Sequence, residues 1–315
     1  DKHVDDSDIH HRKWSWADEQ GFRRCFVLPF AFVKYGSVFL PSGQAGKFDR
    51  DWVEHPCVVR VGNYYYLFYD GTNTTESLPP SVGVASFTDP KGTYTRLNSG
   101  NPLIGNNEAV PSVLYDFYET DANRKWKMWT MATSGHPAGS YHILYRYSAY
   151  PDSGWSAYAD IGLVGGTFGH SVFKIGNLYC CFLPQAIGSG LKLWTSTNPS
   201  SGFSDQGVVL DIGSAGEWDV AQVRYVTITY ILGTYYLFYT GRNASYLRIG
   251  MAMSPFCALG QSAGYGHKFW KYRLNPILLE ASSNLLSPSL LQVEDGFYLW
   301  YEDYAVQGVK LATIP

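Results

Sequence analysis

Short runs that alternate apolar and polar residues recur along the whole chain, separated by clusters of Gly, Asn, Asp, Ser and Pro. Alternation with a period of two is typical of a half-buried β-strand, and such clusters are typical of tight turns. One run, GNYYYLFYDGTN at residues 62–73, returns almost unchanged as GTYYLFYTGRN at residues 233–243. This self-similarity predicts a fold built from a repeated β-unit.

Weaker copies of the same run lie at residues 124–135, 176–186 and 295–305. Each copy is the second strand of its unit, because another strand candidate precedes it and a third follows it. The first strands are expected at residues 55–61, 110–116, 170–175, 221–228 and 287–293. Successive copies are roughly fifty to sixty residues apart, which is close to the length of a four-stranded blade. The sequence therefore predicts an all-β, five-bladed β-propeller.

The fifth unit ends after its third strand, so the ring would be left with an unpaired outer edge. Such an edge costs stability and invites aggregation. Two strand candidates near the N-terminus, at residues 25–33 and 37–40, are available to complete that blade. We therefore expect residues 21–315 to form one propeller, closed by an N-terminal strand, and residues 1–20 to form an N-terminal extension.

Composition narrows the range of partners. Charged residues make up 16% of the chain and the formal net charge is −3, without the basic run that binding to nucleic acid requires. No apolar stretch is long enough to span a membrane. The five cysteines lack CxxC-type spacing, so neither a disulfide framework nor a zinc site is predicted. The sequence leaves the cellular location open, and a secreted or cell-surface location is favoured.

In a propeller the first strands line the channel, and the second strands run back to the face where the first strands begin. Residues before each first strand and after each second strand therefore converge on one mouth. Aromatic rings, carboxylates and amides together suit a sugar, which needs stacking surfaces and paired hydrogen bonds. The candidates are Trp52, Glu54, His55, Asp70, Glu108, His136, His170, Gln185, Trp218, Asp219, Gln222, Arg242 and Glu302.

The repeat resembles that of the five-bladed propeller glycoside hydrolases of families 43, 32, 117 and 130. The likeness spans roughly residue 22 to the C-terminus and is strongest in the strand pairs at residues 54–71 and 217–243. It implies a glycosidase with an Asp-Pro pair in blade one, a second Asp-Pro pair in blade two, and a glutamate in blade three.

This chain departs from that pattern at all three places. Blade one has His55-Pro56, blade two has Val110-Pro111, and blade three has Phe168-Gly169-His170. Three alternatives follow. The carboxylates have moved to Glu54, Glu108 and Asp219, or His170 serves as the acid, or catalysis has been lost.

The favoured interpretation is a glycosidase that acts on a terminal or short oligosaccharide unit. Glu54 or Asp219 would activate water or attack the anomeric carbon, and Glu108 or His170 would protonate the leaving oxygen. The remaining mouth residues would bind the sugar, namely Trp52, His55, Asp70, Trp218, Gln222, Arg242 and Glu302. The alternative is a non-catalytic carbohydrate-binding or adhesion propeller. No cofactor is expected, although the channel histidines would suit a divalent ion.

Overall fold

The computed structural model of the protein describes residues 13–14, 25–26, 31–105, 107–132, 140–165, 169–184, 186–254, 268–293 and 296–314. Their regular structure is almost entirely β-strand, with short 3-10 turns at Asn98–Gly100 and Ala122–Arg124. Five four-stranded antiparallel sheets are arranged as the blades of a propeller. The predicted fold class is thereby confirmed. None of the described residues forms a helix long and apolar enough to cross a membrane.

Each blade is a meander in which neighbouring strands in sequence pair with one another. Blade 1 consists of β4 (Trp52–Val61), β5 (Tyr64–Asn73), β6 (Leu78–Phe87) and β7 (Thr95–Arg96). Blade 2 consists of β8 (Glu108–Tyr115), β9 (Trp126–Ala132), β10 (Tyr141–Ser148) and β11 (Ala159–Gly165). Blade 3 consists of β12 (Ser171–Ile175), β13 (Leu178–Pro184), β14 (Leu191–Ser196) and β15 (Ser204–Leu210). Blade 4 consists of β16 (Gln222–Ile231), β17 (Thr234–Arg242), β18 (Leu247–Ser254) and β19 (Trp270–Lys271).

Blade 5 combines both ends of the described chain. It consists of β20 (Leu285–Val293), β21 (Gly296–Asp303), β22 (Gly308–Ile314) and β3 (Val33–Phe39), in that order. The expected N-terminal closure is therefore present, but one strand across the junction of the two candidates provides it. The earlier segment, Cys25–Phe26 (β2), pairs instead with Lys13–Trp14 (β1), the part of the N-terminal extension that is described. A blade needs only one outer strand, so residues 25–26 of the first candidate have no place in it.

Five apolar clusters fill the spaces between successive blades. The cluster between blades 5 and 1, for example, contains Trp300, Tyr69 and Leu67, whose exposed fractions are 0%, 1% and 0%. Burial of such large side chains is the main force that holds the ring together, at about 25 cal/mol for each Å² of apolar area removed from water. The aromatic residues that define the sequence repeat are thus mainly residues of the blade interfaces.

A ring of hydrogen bonds around the channel fixes the blades relative to one another. In each blade, a side chain of the first strand accepts a backbone N–H of the first strand of a neighbouring blade. The five pairs are Cys57 with Val113 at 3.2 Å, Ser112 with Val172 at 2.8 Å, Ser171 with Val226 at 3.2 Å, Thr227 with Leu290 at 3.3 Å and Ser289 with Val58 at 2.9 Å. The entrance to the channel is consequently a rigid place on which to build a site.

Candidate active site

The residue that opens the channel in each blade adopts a left-handed backbone conformation. The φ angles are 49° at His55, 55° at Val110, 116° at Gly169, 45° at Tyr225 and 51° at Ser287. A conformation of this kind costs a residue other than glycine about 1–3 kcal/mol, and it occurs mainly where function needs it. We call these five residues the bulge ring, because the strand register shifts at four of them.

The bulge ring stands at one end of the central channel, a cavity of about 330 Å³. Four of its members line the cavity, and His170 lines it in blade 3 beside Gly169. Below the ring the wall is mainly apolar, with Val58, Val113 and Leu290 among its residues. The histidine side chains that line the channel, His55 and His170, are therefore found at the mouth formed by the bulge ring.

Three carboxyl groups surround His55 where blades 1 and 5 meet at this mouth. Glu54 and Asp70 are cross-strand partners on β4 and β5. Asp70 Oδ1 lies 2.8 Å from His55 Nδ1 and accepts the Val110 N–H at 3.1 Å. Glu302 Oε2 accepts the backbone N–H of His55 at 3.3 Å. We call Glu54, Asp70 and Glu302 the acid cluster.

Burial and neighbouring charges raise the pKa of two members of the acid cluster, Glu54 and Glu302. Burial raises the pKa of Glu54 to about 8, and the charges of Glu302 and Asp70 act in the same direction. Burial also raises the pKa of Glu302, whereas His55 and Arg224 oppose that shift. Carboxyl groups that interact in a buried site do not both ionise easily. With a pKa of about 8, Glu54 is largely protonated at neutral pH, whereas His55 and Arg224 favour the ionised form of Glu302.

The pKa values of the two histidines of the mouth are shifted in opposite directions. Burial works against the imidazolium of His55, but the charge of Asp70 overcomes it and raises its pKa well above the usual value. Burial lowers the pKa of His170 to about 4, and the charge of His55 adds to that effect, whereas the Trp129 backbone opposes it. At neutral pH His55 is therefore a cation paired with Asp70, and His170 is a neutral ring.

Some buried polar atoms at the mouth have no hydrogen-bond partner among the described residues, and Glu302 Oε1 and Arg224 Nε are two of them. A buried polar atom without a partner costs about 1–3 kcal/mol. The mouth therefore gains stability from a polar ligand, or from water, that bonds to these atoms.

Aromatic rings form part of the mouth on both sides of the acid cluster. The Tyr225 ring lies 4.8 Å from the His55 ring. Trp52 meets Tyr304 edge to face, with ring centroids 5.4 Å apart. Burial raises the pKa of Tyr304 to about 12, and the charge of Glu302 adds to the shift. Tyr304 is therefore a hydroxyl donor at any working pH.

Glu108 does not join the acid cluster, contrary to the expectation that the carboxylates converge. Its side chain accepts a hydrogen bond from Thr130 Oγ1 at 2.5 Å and forms an ion pair with Arg146. It lines a separate cavity that also contains Tyr158, whose ring lies 5.1 Å from the guanidinium carbon of Arg146. Glu108 stays there because Arg146, on β10 of the same blade, supplies the cation that this buried carboxylate needs.

Asp219 is also absent from the mouth, and Trp218 with it. Asp219 Oδ2 accepts the Tyr239 hydroxyl at 2.9 Å and lies 2.7 Å from Lys271 Nζ. The Trp218 ring stacks on Tyr239 at 5.5 Å and covers Gly241, where an added Cβ would lie 2.4 Å from Trp218 Cζ3. Both side chains are held inside blade 4 by these contacts, and the structure does not bring them beside the acid cluster.

Gln222 and Arg242 are cross-strand partners at the mouth end of blade 4. Gln222 is buried and Arg242 is partly exposed. The mouth thus brings together Glu54, His55, Asp70, His170 and Glu302, with Trp52, Gln222 and Arg242 beside them. Two other candidates, His136 and Gln185, lie outside the described residues.

Three residues of the mouth were missed in the sequence, namely Arg224, Tyr225 and Tyr304. A signal for the first two was present, since blades 1 and 4 align without gaps from residue 48 to residue 73 and from residue 218 to residue 243. In that alignment Arg224 matches Glu54 and Tyr225 matches His55. Tyr304 directly follows the second-strand end of blade 5, one of the positions that converge on the mouth.

Within the described part of the chain, no three His, Cys, Asp or Glu side chains are arranged to hold a metal ion. Lys, Tyr and Arg surround most of the carboxylates outside the acid cluster, and these are hydrogen-bond and ion-pair partners rather than ligands.

No protein-family model matches the sequence, and no curated protein sequence matches it. Solved structures do match the fold. The catalytic domain of a GH62 α-L-arabinofuranosidase from Coprinopsis cinerea has a TM-score of 0.62 and 15% identity, over 90% of this chain and 96% of that chain. An α-L-arabinofuranosidase from Podospora anserina, in complex with cellotriose, has a TM-score of 0.61 and 12% identity, over 90% and 95%.

A glycosyl hydrolase from Bacteroides ovatus has a TM-score of 0.64 and 14% identity, over 88% of this chain and 90% of that chain. At such low identity the likeness establishes the fold alone, and the chemistry must be argued from the residues at the mouth. The protein has the fold of the five-bladed propeller glycoside hydrolases.

Proposed function

We propose that the protein is a glycoside hydrolase that acts on a terminal or short oligosaccharide unit at the mouth of the channel. The observation that carries this proposal is the pair Glu54 and Glu302, two interacting carboxyl groups of which one holds a proton at neutral pH. A protonated and an ionised carboxyl group facing one substrate are what hydrolysis of a glycosidic bond requires.

In this proposal Glu54 is the general acid. Its proton passes to the glycosidic oxygen as the bond from that oxygen to the anomeric carbon breaks. A pKa of about 8 keeps Glu54 protonated at neutral pH and still allows it to give up the proton. The assignment differs from the sequence-based one, in which Glu54 was a base or a nucleophile, because the acid cluster was not visible in the sequence.

Glu302 is then the second carboxylate. It either takes a proton from the attacking water or attacks the anomeric carbon itself. Its Oε1 atom is buried and has no partner among the described residues, so it is available to a ligand. Asp70 is less suited to this role, since His55 and the Val110 N–H already engage it.

The remaining mouth residues would hold the sugar. Trp52, Tyr225 and Tyr304 offer ring faces and hydroxyls, and sugars stack on such surfaces. The neutral ring of His170 offers one donor and one acceptor to hydroxyl groups. The solved neighbours support a sugar ligand by analogy, since one of them holds cellotriose.

A second candidate function is carbohydrate binding without catalysis. It is favoured by the bulge ring, which has no carboxylate at any of its five positions, namely His55, Val110, Gly169, Tyr225 and Ser287. The family pattern places aspartates at the first two. The two candidates differ in whether Glu54 does chemistry.

The test is hydrolysis of a panel of aryl glycosides and natural oligosaccharides by the wild-type protein and by Glu54→Gln. Gln keeps the shape and the hydrogen bonds of Glu but has no proton to give. We expect a rate loss on the order of a hundredfold or more, with sugar affinity nearly unchanged. Glu108→Gln is the matched control and should keep its rate, since Glu108 lies in another cavity. Binding of sugars without turnover would leave the second candidate.

A further inference from the structure

Arg224 is a cation of the mouth that forms no salt bridge among the described residues, although its charge acts on Glu302. Its guanidinium carbon lies 4.7 Å from the centre of the Tyr225 ring. Its Nε atom is buried and has no hydrogen-bond partner among the described residues. By contrast, Arg96 Nε lies 2.6 Å from Asp49 Oδ2. A half-buried guanidinium without a paired anion is costly, and an anionic ligand would remove that cost.

Arg242 is a second arginine on the blade 4 side of the mouth. On β16 and β17, Arg224 is opposite Thr240 and Gln222 is opposite Arg242. Side chains opposite each other, or two residues apart on one strand, share a face of the sheet. Arg224 and Arg242 therefore lie on one face of blade 4, and no ion pair to either is found among the described residues. We call these two residues the cationic wall.

The acid cluster does not neutralise the cationic wall. Asp70 is paired with His55 at 2.8 Å, and Glu54 is uncharged while it holds its proton. Glu302 is the member of the cluster whose pKa Arg224 lowers. An ionised Glu302 supplies one negative charge against the two arginines of the cationic wall, so the blade 4 side of the mouth keeps a surplus of positive charge.

We propose that the sugar unit bound at this mouth carries an oxyanion, a carboxylate or a sulfate, which the cationic wall recognises. This inference rests on the proposed function and names the class of its substrate. A guanidinium presents two parallel N–H groups that match the two oxygens of such an anion. The substrate would then be an acidic oligosaccharide, with Glu54 and Glu302 at the scissile bond and the anionic group on the blade 4 side.

The test is a comparison of matched sugars by calorimetric titration. The pairs are methyl galacturonide with methyl galactoside and methyl glucuronide with methyl glucoside, each also as di- and trisaccharides, together with galactoside 6-sulfate. We expect the acidic member of at least one pair to bind tenfold or more tightly than its neutral partner, since a charge-assisted bidentate contact is worth at least this factor. A preference for the sulfated sugar over both uronides would identify sulfate as the oxyanion.

Arg224→Gln and Arg242→Gln should each remove most of that preference, and added salt should reduce it. The control is Arg60→Gln, which removes the same charge from a residue that also lines the channel, five residues beyond His55 along β4. Equal binding of acidic and neutral sugars, no binding of any acidic sugar, or an equal loss of preference in Arg60→Gln would each overturn the inference.

The same titrations separate this inference from the proposed function. Acidic sugars that bind by way of Arg224 but are not hydrolysed would uphold the cationic wall and reject the hydrolase. Hydrolysis that depends on Glu54 but shows no preference for acidic sugars would uphold the hydrolase and overturn the inference. Glu54→Gln should keep the charge preference, because it leaves the cationic wall intact.

Discussion

Blades 1 and 4 share an internal support of the same composition. In blade 1, Asp49 Oδ2 accepts the Tyr69 hydroxyl at 3.1 Å and lies 2.6 Å from Arg96 Nε. In blade 4, Asp219 Oδ2 accepts the Tyr239 hydroxyl at 2.9 Å and lies 2.7 Å from Lys271 Nζ. A ring stacks on the tyrosine in both blades, Phe48 at 5.8 Å and Trp218 at 5.5 Å.

At the mouth the same two blades differ in charge. Glu54 and Asp70 face each other across β4 and β5, and Arg224 and Thr240 face each other at the matching places on β16 and β17. One repeated unit has thus produced an acidic side and a basic side of one mouth. Residues that the blades share hold the unit together, and the residues that differ at the matching positions give the two sides of the mouth their different charge.

The largest expected effect concerns the shared support. Asp49→Ala and Asp219→Ala should each lower the free energy of unfolding by about 3 kcal/mol, because each leaves a cation and a buried tyrosine hydroxyl without their acceptor. Urea unfolding measures both. We expect similar losses in the two blades and unchanged sugar binding at a temperature where both variants are folded. A stable Asp219→Ala protein without activity would instead return Asp219 to the catalytic candidates.

A second pair of changes tests the close packing beneath the support. A Cβ at Gly71 would lie 2.6 Å from Asp49 Cβ, and a Cβ at Gly241 would lie 2.4 Å from Trp218 Cζ3. Gly71→Ala and Gly241→Ala should therefore each cost about 1–3 kcal/mol through overpacking. Thermal unfolding of both variants is the measurement. Wild-type melting temperatures would mean that the rings move aside easily and that the support is looser than described.

The fold was predictable because its signal is repeated. Five copies of an aromatic second strand lie at regular spacing, and the missing outer strand of the fifth unit required an N-terminal partner. The site was predictable only in part. Position along a strand placed Glu54, His55 and Glu302 at the mouth, but it gave the same place to Glu108 and Asp219.

Glu108 and Asp219 lie away from the acid cluster because ion pairs with Arg146 and Lys271 hold them elsewhere. Arg146 is 38 residues from Glu108 along the chain, and Lys271, the partner of Asp219, lies on the outer strand of blade 4. No local pattern announces such a pairing, because it depends on how distant strands stack within a blade. The sequence could, however, have shown that Asp219 matches Asp49, which suggests a structural role for both.

A third prediction uses pH to separate positions 54 and 224. The pKa of Glu54 is about 8 in the folded protein against an ordinary value near 4.5. The folded state therefore binds more protons between these values, and its stability falls as pH rises through that window. Glu54→Gln removes this fall, so its stability relative to wild type should improve by about 3 kcal/mol from pH 5 to pH 8.

Arg224→Gln should show the opposite trend in the same urea titrations. Arg224 favours the ionised form of Glu302, so without it that carboxyl group becomes harder to ionise. Stability relative to wild type should then decline as pH rises. Parallel pH profiles for the two variants would contradict the assignment of opposite electrostatic roles to the two matched positions.

The smallest expected effect on stability comes from making blade 4 more like blade 1. Thr240 matches Asp70, and its Oγ1 accepts the Ser287 N–H at 3.0 Å, much as Asp70 Oδ1 accepts the Val110 N–H at 3.1 Å. Thr240→Asp can keep that hydrogen bond and places a carboxylate opposite Arg224. We expect a stability change within about 1 kcal/mol, because the new charge gains a partner as it is buried.

The effect of Thr240→Asp on binding should be clearer than its effect on stability. Its carboxylate would occupy Arg224, so the preference for acidic over neutral sugars should fall several-fold in calorimetric titrations. Thr240→Asn has nearly the same size without the charge and should keep the preference. If both variants kept it, Arg224 would not be the residue that recognises the anion. If both lost it, the hydroxyl of Thr240 would be the important group, and the difference in charge between the two blades would have no part in choosing the ligand.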